Sequence, residues 1–126
     1  MKKSIFLLAL VIPTIVNANN VFVCNTAKHT IHINQLDSIT YQYNSWNKPK
    51  SIKDKPDMDI TQKNVLSVEG TGVCRYSMYT FKKGDVVFEI TDGLGCTEET
   101  PPNNATGSLN VYIKEELKSH YWCTKQ

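Results

Sequence analysis

The chain has 126 residues and a formal net charge of +2, which Lys2 and Lys3 account for, so from Asn19 onward twelve basic side chains balance twelve acidic ones. That balance argues against a general binder of nucleic acid or anionic membrane, either of which needs a basic excess. The length suits one domain rather than several.

Lys2 and Lys3, the apolar run Ile5–Val16 and the closing Val16-Asn17-Ala18 have the layout of a secretory leader, with removal expected after Ala18. The apolar run is too short to span a bilayer. Cys24 follows Phe22-Val23 rather than small residues, so no lipid-attachment signal precedes it. The expectation is residues 1–18 as signal peptide and 19–126 as a single domain. It would be exported to the periplasm or medium of a bacterium, with no membrane anchor after cleavage.

Val21-Phe22-Val23-Cys24 reads as a short strand, and Thr30–Leu36 alternates, with Ile31 and Ile33 on one side. Asp37-Ser38 is turn chemistry, followed by a strand with Ile39, Tyr41 and Tyr43 on one face. Residues 44–57 are rich in Asn, Ser, Pro, Lys and Asp and read as a long exposed loop, basic in its middle, with Trp46 embedded either as an exposed binding anchor or folded back as a lid on a barrel end. Met58–Ile60 and Val65–Glu69 are short strands. Residues 73–81 and 86–91 are two runs of β-formers around Lys82-Lys83-Gly84-Asp85, a hairpin in which Gly84 supplies the turn. A four-residue loop would set Phe81 and Tyr79 opposite Val86 and Phe88. A five-residue loop would set Met78 and Tyr76 opposite Phe88 and Ile90, and Cys74 opposite Asp92; this second register is preferred. Thr97–Gly107 is a second loop, Ser108–Lys114 a half-buried strand, Glu115–Ser119 a turn, and Tyr121-Trp122-Cys123 a last strand. About eight short strands without a long helix predict an all-β fold, a small antiparallel barrel or sandwich.

Cys24, Cys74, Cys96 and Cys123 form an even set in an exported chain and read as two disulfides. Three connectivities exist. Cys74–Cys96 within the hairpin region and Cys24–Cys123 joining first and last strands are expected. No CxxC-type spacing suggests zinc, and no cofactor or metal is expected.

The histidines are His29, His32 and His120; His29 and His32, three apart on a strand, point to opposite faces and are wrongly spaced for a shared metal, and no GxSxG, HExxH or P-loop pattern occurs. A small secreted hydrolase is therefore the remotest reading, and the protein is not expected to be an enzyme.

Two pieces of the central stretch resemble the MliC/PliC family of periplasmic inhibitors of c-type lysozyme. Gly70-Thr71-Gly72-Val73-Cys74-Arg75-Tyr76 is similar to that family's Ser-Gly-Ser-Gly-Ala-Arg-Tyr loop, and Phe81-Lys82-Lys83-Gly84-Asp85 to its aromatic-x-Lys-Gly-Asp hairpin. The chain departs from the pattern by one extra residue between Gly72 and Arg75, by Thr for Ser and by Phe81 for Trp. The resemblance implies an eight-stranded antiparallel barrel. It also implies a loop hydroxyl, here Thr71, and a hairpin lysine, here Lys83, that enter the lysozyme cleft and meet its two catalytic carboxylates. Lys82, Arg75 and Tyr76 would support them. An ammonium placed between two glycosidase carboxylates makes charge-assisted hydrogen bonds in a desolvated site. The leading expectation is a protein that blocks a glycan-cleaving enzyme. The alternative is an immunity or binding module for another protein, such as a toxin, engaged through the Trp46 loop.

Overall fold

The computed structural model describes residues 18–125. The leader expectation falls on residues outside these, Ala18 excepted. Nine strands follow one another: β1 (Asn19–Asn25), β2 (His29–Gln35), β3 (Thr40–Asn47), β4 (Met58–Lys63), β5 (Leu66–Glu69), β6 (Tyr76–Lys83), β7 (Val86–Asp92), β8 (Ala105–Ile113) and β9 (Glu116–Thr124). A short 3-10 turn, Gly72–Cys74, is the one helical element among the described residues. Every ladder is antiparallel, and the strands lie in the order β4-β3-β2-β1-β9-β8-β7-β6-β5.

The all-β expectation holds. The closed barrel and the two-layer sandwich do not: the strands form one open sheet with β4 and β5 at its edges. The sheet curls until those edges approach, and the chain crosses the seam through Asn64, at φ 58, and Val65. There the Thr80 amide donates to the Val65 carbonyl at 3.1 Å and the Lys82 amide to Gln62 Oε1 at 2.9 Å. The first prolongs the β5–β6 ladder one residue beyond Leu66–Tyr79, and the second, to a side chain, joins β4 to β6 in place of a ladder. They still satisfy amides that would otherwise leave part of the β6 edge open.

A second joint is equally narrow. β1 meets β9 at one residue pair, Asn25 with Thr124, whereas β8 and β9 pair from Ala105–Thr124 to Ile113–Glu116. The sheet is thus two blocks, β1–β4 and β5–β9. The Cys24–Cys123 disulfide spans the blocks beside their single pair. Both expected disulfides are present, Cys74–Cys96 being the other.

Alternation decides the core. Ile31 and Ile33 of β2, Tyr41 and Tyr43 of β3, Phe81 of β6, Ile90 of β7 and Leu109 of β8 point inward and are buried with Cys24 and Cys123. Tyr43 packs between Phe81 and Phe88, with ring centroids at 5.6 and 4.9 Å, so β3 meets the β6–β7 hairpin across the hollow of the curl. Gly107 stands where β8 crosses Thr91; a Cβ there would overlap the Thr91 carbonyl oxygen.

Neither expected hairpin register is the observed one. Lys83 pairs with Val86, Phe81 with Phe88, Tyr79 with Ile90 and Ser77 with Asp92. The turn is the two residues Gly84 and Asp85, and Gly84, at φ 61, takes the first central position that a II′ turn reserves for glycine. Both lysines thereby join the strand, and Cys74 lies before the ladder rather than opposite Asp92. Other boundaries shift: β4 runs on to Lys63, and β8 begins at Ala105, inside the expected 97–107 loop. β3 runs on to Asn47, through residues of loop-forming type, and β9 begins at Glu116 where a turn was expected.

Candidate functional site

The up-and-down order of the strands sorts the connections into two ends. One end gathers residues 26–28, the 48–57 loop, the 84–85 turn and the 114–115 turn; the other gathers 36–39, 70–75 and 93–104. Charge divides with them. The first end carries Lys28, Lys48, Lys50, Lys53, Lys55 and Lys114 in its connections, with Lys82 and Lys83 beside its turn, against Asp54, Asp57, Asp85 and Glu115. The connections of the second carry Asp37, Glu98 and Glu99 against Arg75. From Asn19 onward the charges balance in sum, yet one end is basic and the other acidic.

The fold separates the residues that the sequence motifs grouped. Lys82 and Lys83 close β6 and are exposed at the basic end. Thr71, Arg75 and Tyr76 belong to the other end. Thr71 is exposed and extended, at φ −137 and ψ 149, and its hydroxyl makes no capping bond to the 3-10 turn that follows. β6 spans seven steps between Tyr76 and Lys83, on the order of 24 Å at strand rise. Thr71 and Lys83 therefore cannot meet one pair of carboxylates set about 5–10 Å apart, the spacing of glycosidase acid and base. Tyr76 is half-buried, with its ring against Gly95.

Of the two roles the sequence leaves open, Trp46 does not take that of the exposed binding anchor. It is 5% exposed, on the outer face of β3, where the 48–57 loop folds back over it. Its indole Nε1 donates to the Asp54 carbonyl at 2.8 Å, and its ring meets the edge of His32 at 5.2 Å. Burial holds the His32 imidazole below its ordinary range. Trp46 is thus the pin of its loop, and the surface the loop offers is its lysines and Ile52, which is 52% exposed.

Asp57 fixes the base of the same loop. One oxygen accepts from the Asn47 amide at 2.7 Å and the other from Lys50 Nζ at 3.0 Å. The Asn47 hydrogen bond first, and Lys50 second, hold the Asp57 carboxyl below the usual range. A loop anchored at its centre and its base presents its charges with less ordering left to do on binding.

Sequence reasoning missed one constellation. Glu89, Asn110 and His120 lie side by side on the outer faces of β7, β8 and β9, although 21 and then 10 residues separate them along the chain. Only the strand register brings them together.

Among the described residues no group of three or more His, Cys, Asp or Glu could hold a metal, and no helix is long and apolar enough to cross a membrane. Two formed disulfides suggest an oxidising, extracytoplasmic environment. Comparison of the chain with protein-family models, with curated proteins and with solved structures finds no match.

Proposed function

We propose that the chain is an exported, non-enzymatic binding protein, periplasmic or secreted after loss of its leader, that docks its lysine-bearing end against an acidic surface of a protein partner. The leading target is the catalytic cleft of a glycan-cleaving enzyme of the c-type lysozyme class. The observation that carries the reading is the convergence, at one end, of the Lys82–Asp85 hairpin tip and the anchored 48–57 loop. Lysines beside a hairpin turn and on a held loop can enter a concave acidic site, and an ammonium between carboxylates gains charge-assisted hydrogen bonds once water is excluded. Lys83 is the inserting residue and Lys82 supports it. Thr71, Arg75 and Tyr76, a strand's length away, take no part in this contact.

The anchoring of the loop favours a second reading, in which the same end serves as an immunity module for a different protein and Ile52 with its neighbouring lysines leads the contact. Inhibition of c-type lysozyme in a cell-wall lysis assay by oxidised 19–126 separates the two. The first reading expects inhibition at micromolar protein and at least a tenfold loss with Lys83→Ala. Potency unchanged by that substitution removes the role given to Lys83. Absence of inhibition removes the lysozyme target and leaves the second reading.

A further inference from the structure

The alternation that turns Ile90, Leu109 and Tyr121 inward turns Glu89, Thr91, Ser108, Asn110, His120 and Trp122 onto the outer face of β7–β9. The 93–104 connection, tied to the 3-10 turn by Cys74–Cys96, stands beside them and completes a groove of about 380 Å³. That volume lies within the range of small-molecule sites.

The groove is wired. Asn110 Nδ2 donates to Glu89 Oε1 at 3.4 Å, and Asn110 Oδ1 is 2.6 Å from His120 Nδ1. An amide oxygen only accepts, so Nδ1 carries the proton and Nε2 is left facing Glu99, whose Oε2 lies 4.0 Å away. The Thr91 and Ser108 hydroxyls bond each other at 2.8 Å. Trp122 meets His120 edge-on at 4.7 Å, and Tyr76 also lines the groove. No lysine or arginine is among the lining residues.

We infer that this groove is a binding site for a saccharide. A pyranose ring carries hydroxyls around its rim and C–H groups on its faces. The rim matches carboxylates that accept charge-assisted hydrogen bonds, and the faces match the rings of Trp122 and Tyr76. The Glu89–Asn110–His120 chain holds those acceptors in place before the ligand arrives. A phosphate or sulfate group would face Glu89 and Glu99 with no lysine or arginine to offset them. A hydrocarbon would strip water from polar groups and return no hydrogen bonds. The site is on a different face from the lysine-bearing end and does not depend on the reading given to that end.

The test is titration of oxidised 19–126 with three tetrasaccharides, β-1,4-linked N-acetylglucosamine, β-1,4-linked glucose and α-1,4-linked glucose, followed by backbone-amide and indole NMR shifts. Trp46, buried under its loop, serves as the internal control. At least one sugar is expected to shift the Trp122 indole and amides of β7–β9, and Glu89→Gln and Trp122→Phe should each weaken that binding fivefold or more while leaving the Trp46 resonance in place. Absence of groove shifts with all three sugars at about 10 mM, weaker than any useful affinity, overturns the inference. Sugar binding that neither substitution weakens overturns it as well. So does binding of spermidine in the groove when no sugar binds, which would make it a site for organic cations.

Discussion

Replacing both Cys24 and Cys123 with alanine should destabilise this protein more than the same exchange at Cys74 and Cys96. The bond spans 99 positions, for which loop-closure entropy gives about 4.7 kcal/mol. The Cys74–Cys96 bond spans 22 positions, for which the same relation gives about 3.4 kcal/mol. Two local facts widen the gap. Cys24 and Cys123 are fully buried, so truncation also leaves a small cavity, whereas Cys96 is exposed and Cys74 half-buried on the connections at the acidic end. The first bond also lies where β1 and β9 share a single residue pair, so without it the β1–β4 and β5–β9 blocks are held by that pair, the seam and the core contacts alone. Against a total stability of about 5–15 kcal/mol for an ordinary domain, a loss near 5 kcal/mol removes from about a third of the stability to all of it. Urea unfolding followed by far-UV circular dichroism measures both double variants against the parent. Loss of Cys74–Cys96 should lower the midpoint and retain the transition; loss of Cys24–Cys123 should lower it further, with a broadened or split transition if the blocks separate. Equal losses, or the reverse ranking, would refute the view that this disulfide joins two blocks.

Trp46→Phe keeps most of the apolar contact and deletes the bond to Asp54, a loss of about 1 kcal/mol. A change of that size corresponds to roughly fivefold in an opening equilibrium. Trypsin should accordingly cut after Lys50 and Lys53 severalfold faster; an unchanged rate would show that Trp46 does not hold the loop. Asp92 lies on the inner side of β7 beside Tyr79, and burial pushes its carboxyl above the ordinary 3.8. With the folded pKa above the unfolded one, the native state favours the protonated acid, so stability falls as pH rises from 3.8 through the folded value. Asp92→Asn should therefore raise the melting temperature at pH 7 and give no such gain at pH 3. A gain of the same size at both pH values would contradict the burial argument.

Much of the fold was legible because alternation is a direct readout of strand faces. Phe88 and Ile90 line the inner face as their spacing required, and of the three pairings open to the four cysteines the expected one is formed. Register was not legible. It depended on whether Lys82 and Lys83 belonged to the turn or to the strand, and lysine suits both. β3 continued past Tyr43 through Asn44, Ser45 and Trp46 because pairing with β2 and β4 on both sides outweighs the weak strand preference of such residues. The open seam was hidden for a different reason. A count of strands says nothing about which edges find partners, and here one continuous stretch, β4 and β5, occupies both edges.

The candidate site suffered from the same gap between order and space. Thr71 and Lys83 are twelve positions apart and look like neighbours in sequence, yet an extended strand holds them at opposite ends. The loop formers around Trp46 leave open whether it is exposed or folded back, and it is buried because the loop those neighbours make folds over it. Glu89, Asn110 and His120 are scattered in sequence and became a chain only through the β7–β8–β9 register.

The central claim is that the lysine-bearing end is the docking surface. The most direct measurement is backbone-amide shift mapping of oxidised 19–126 during titration with a c-type lysozyme. The account predicts shifts and broadening concentrated in 48–57 and 82–85, with 70–76 and 93–99 unmoved. Perturbation centred on Thr71, Arg75 and Cys96, with the lysine-bearing end silent, would contradict it.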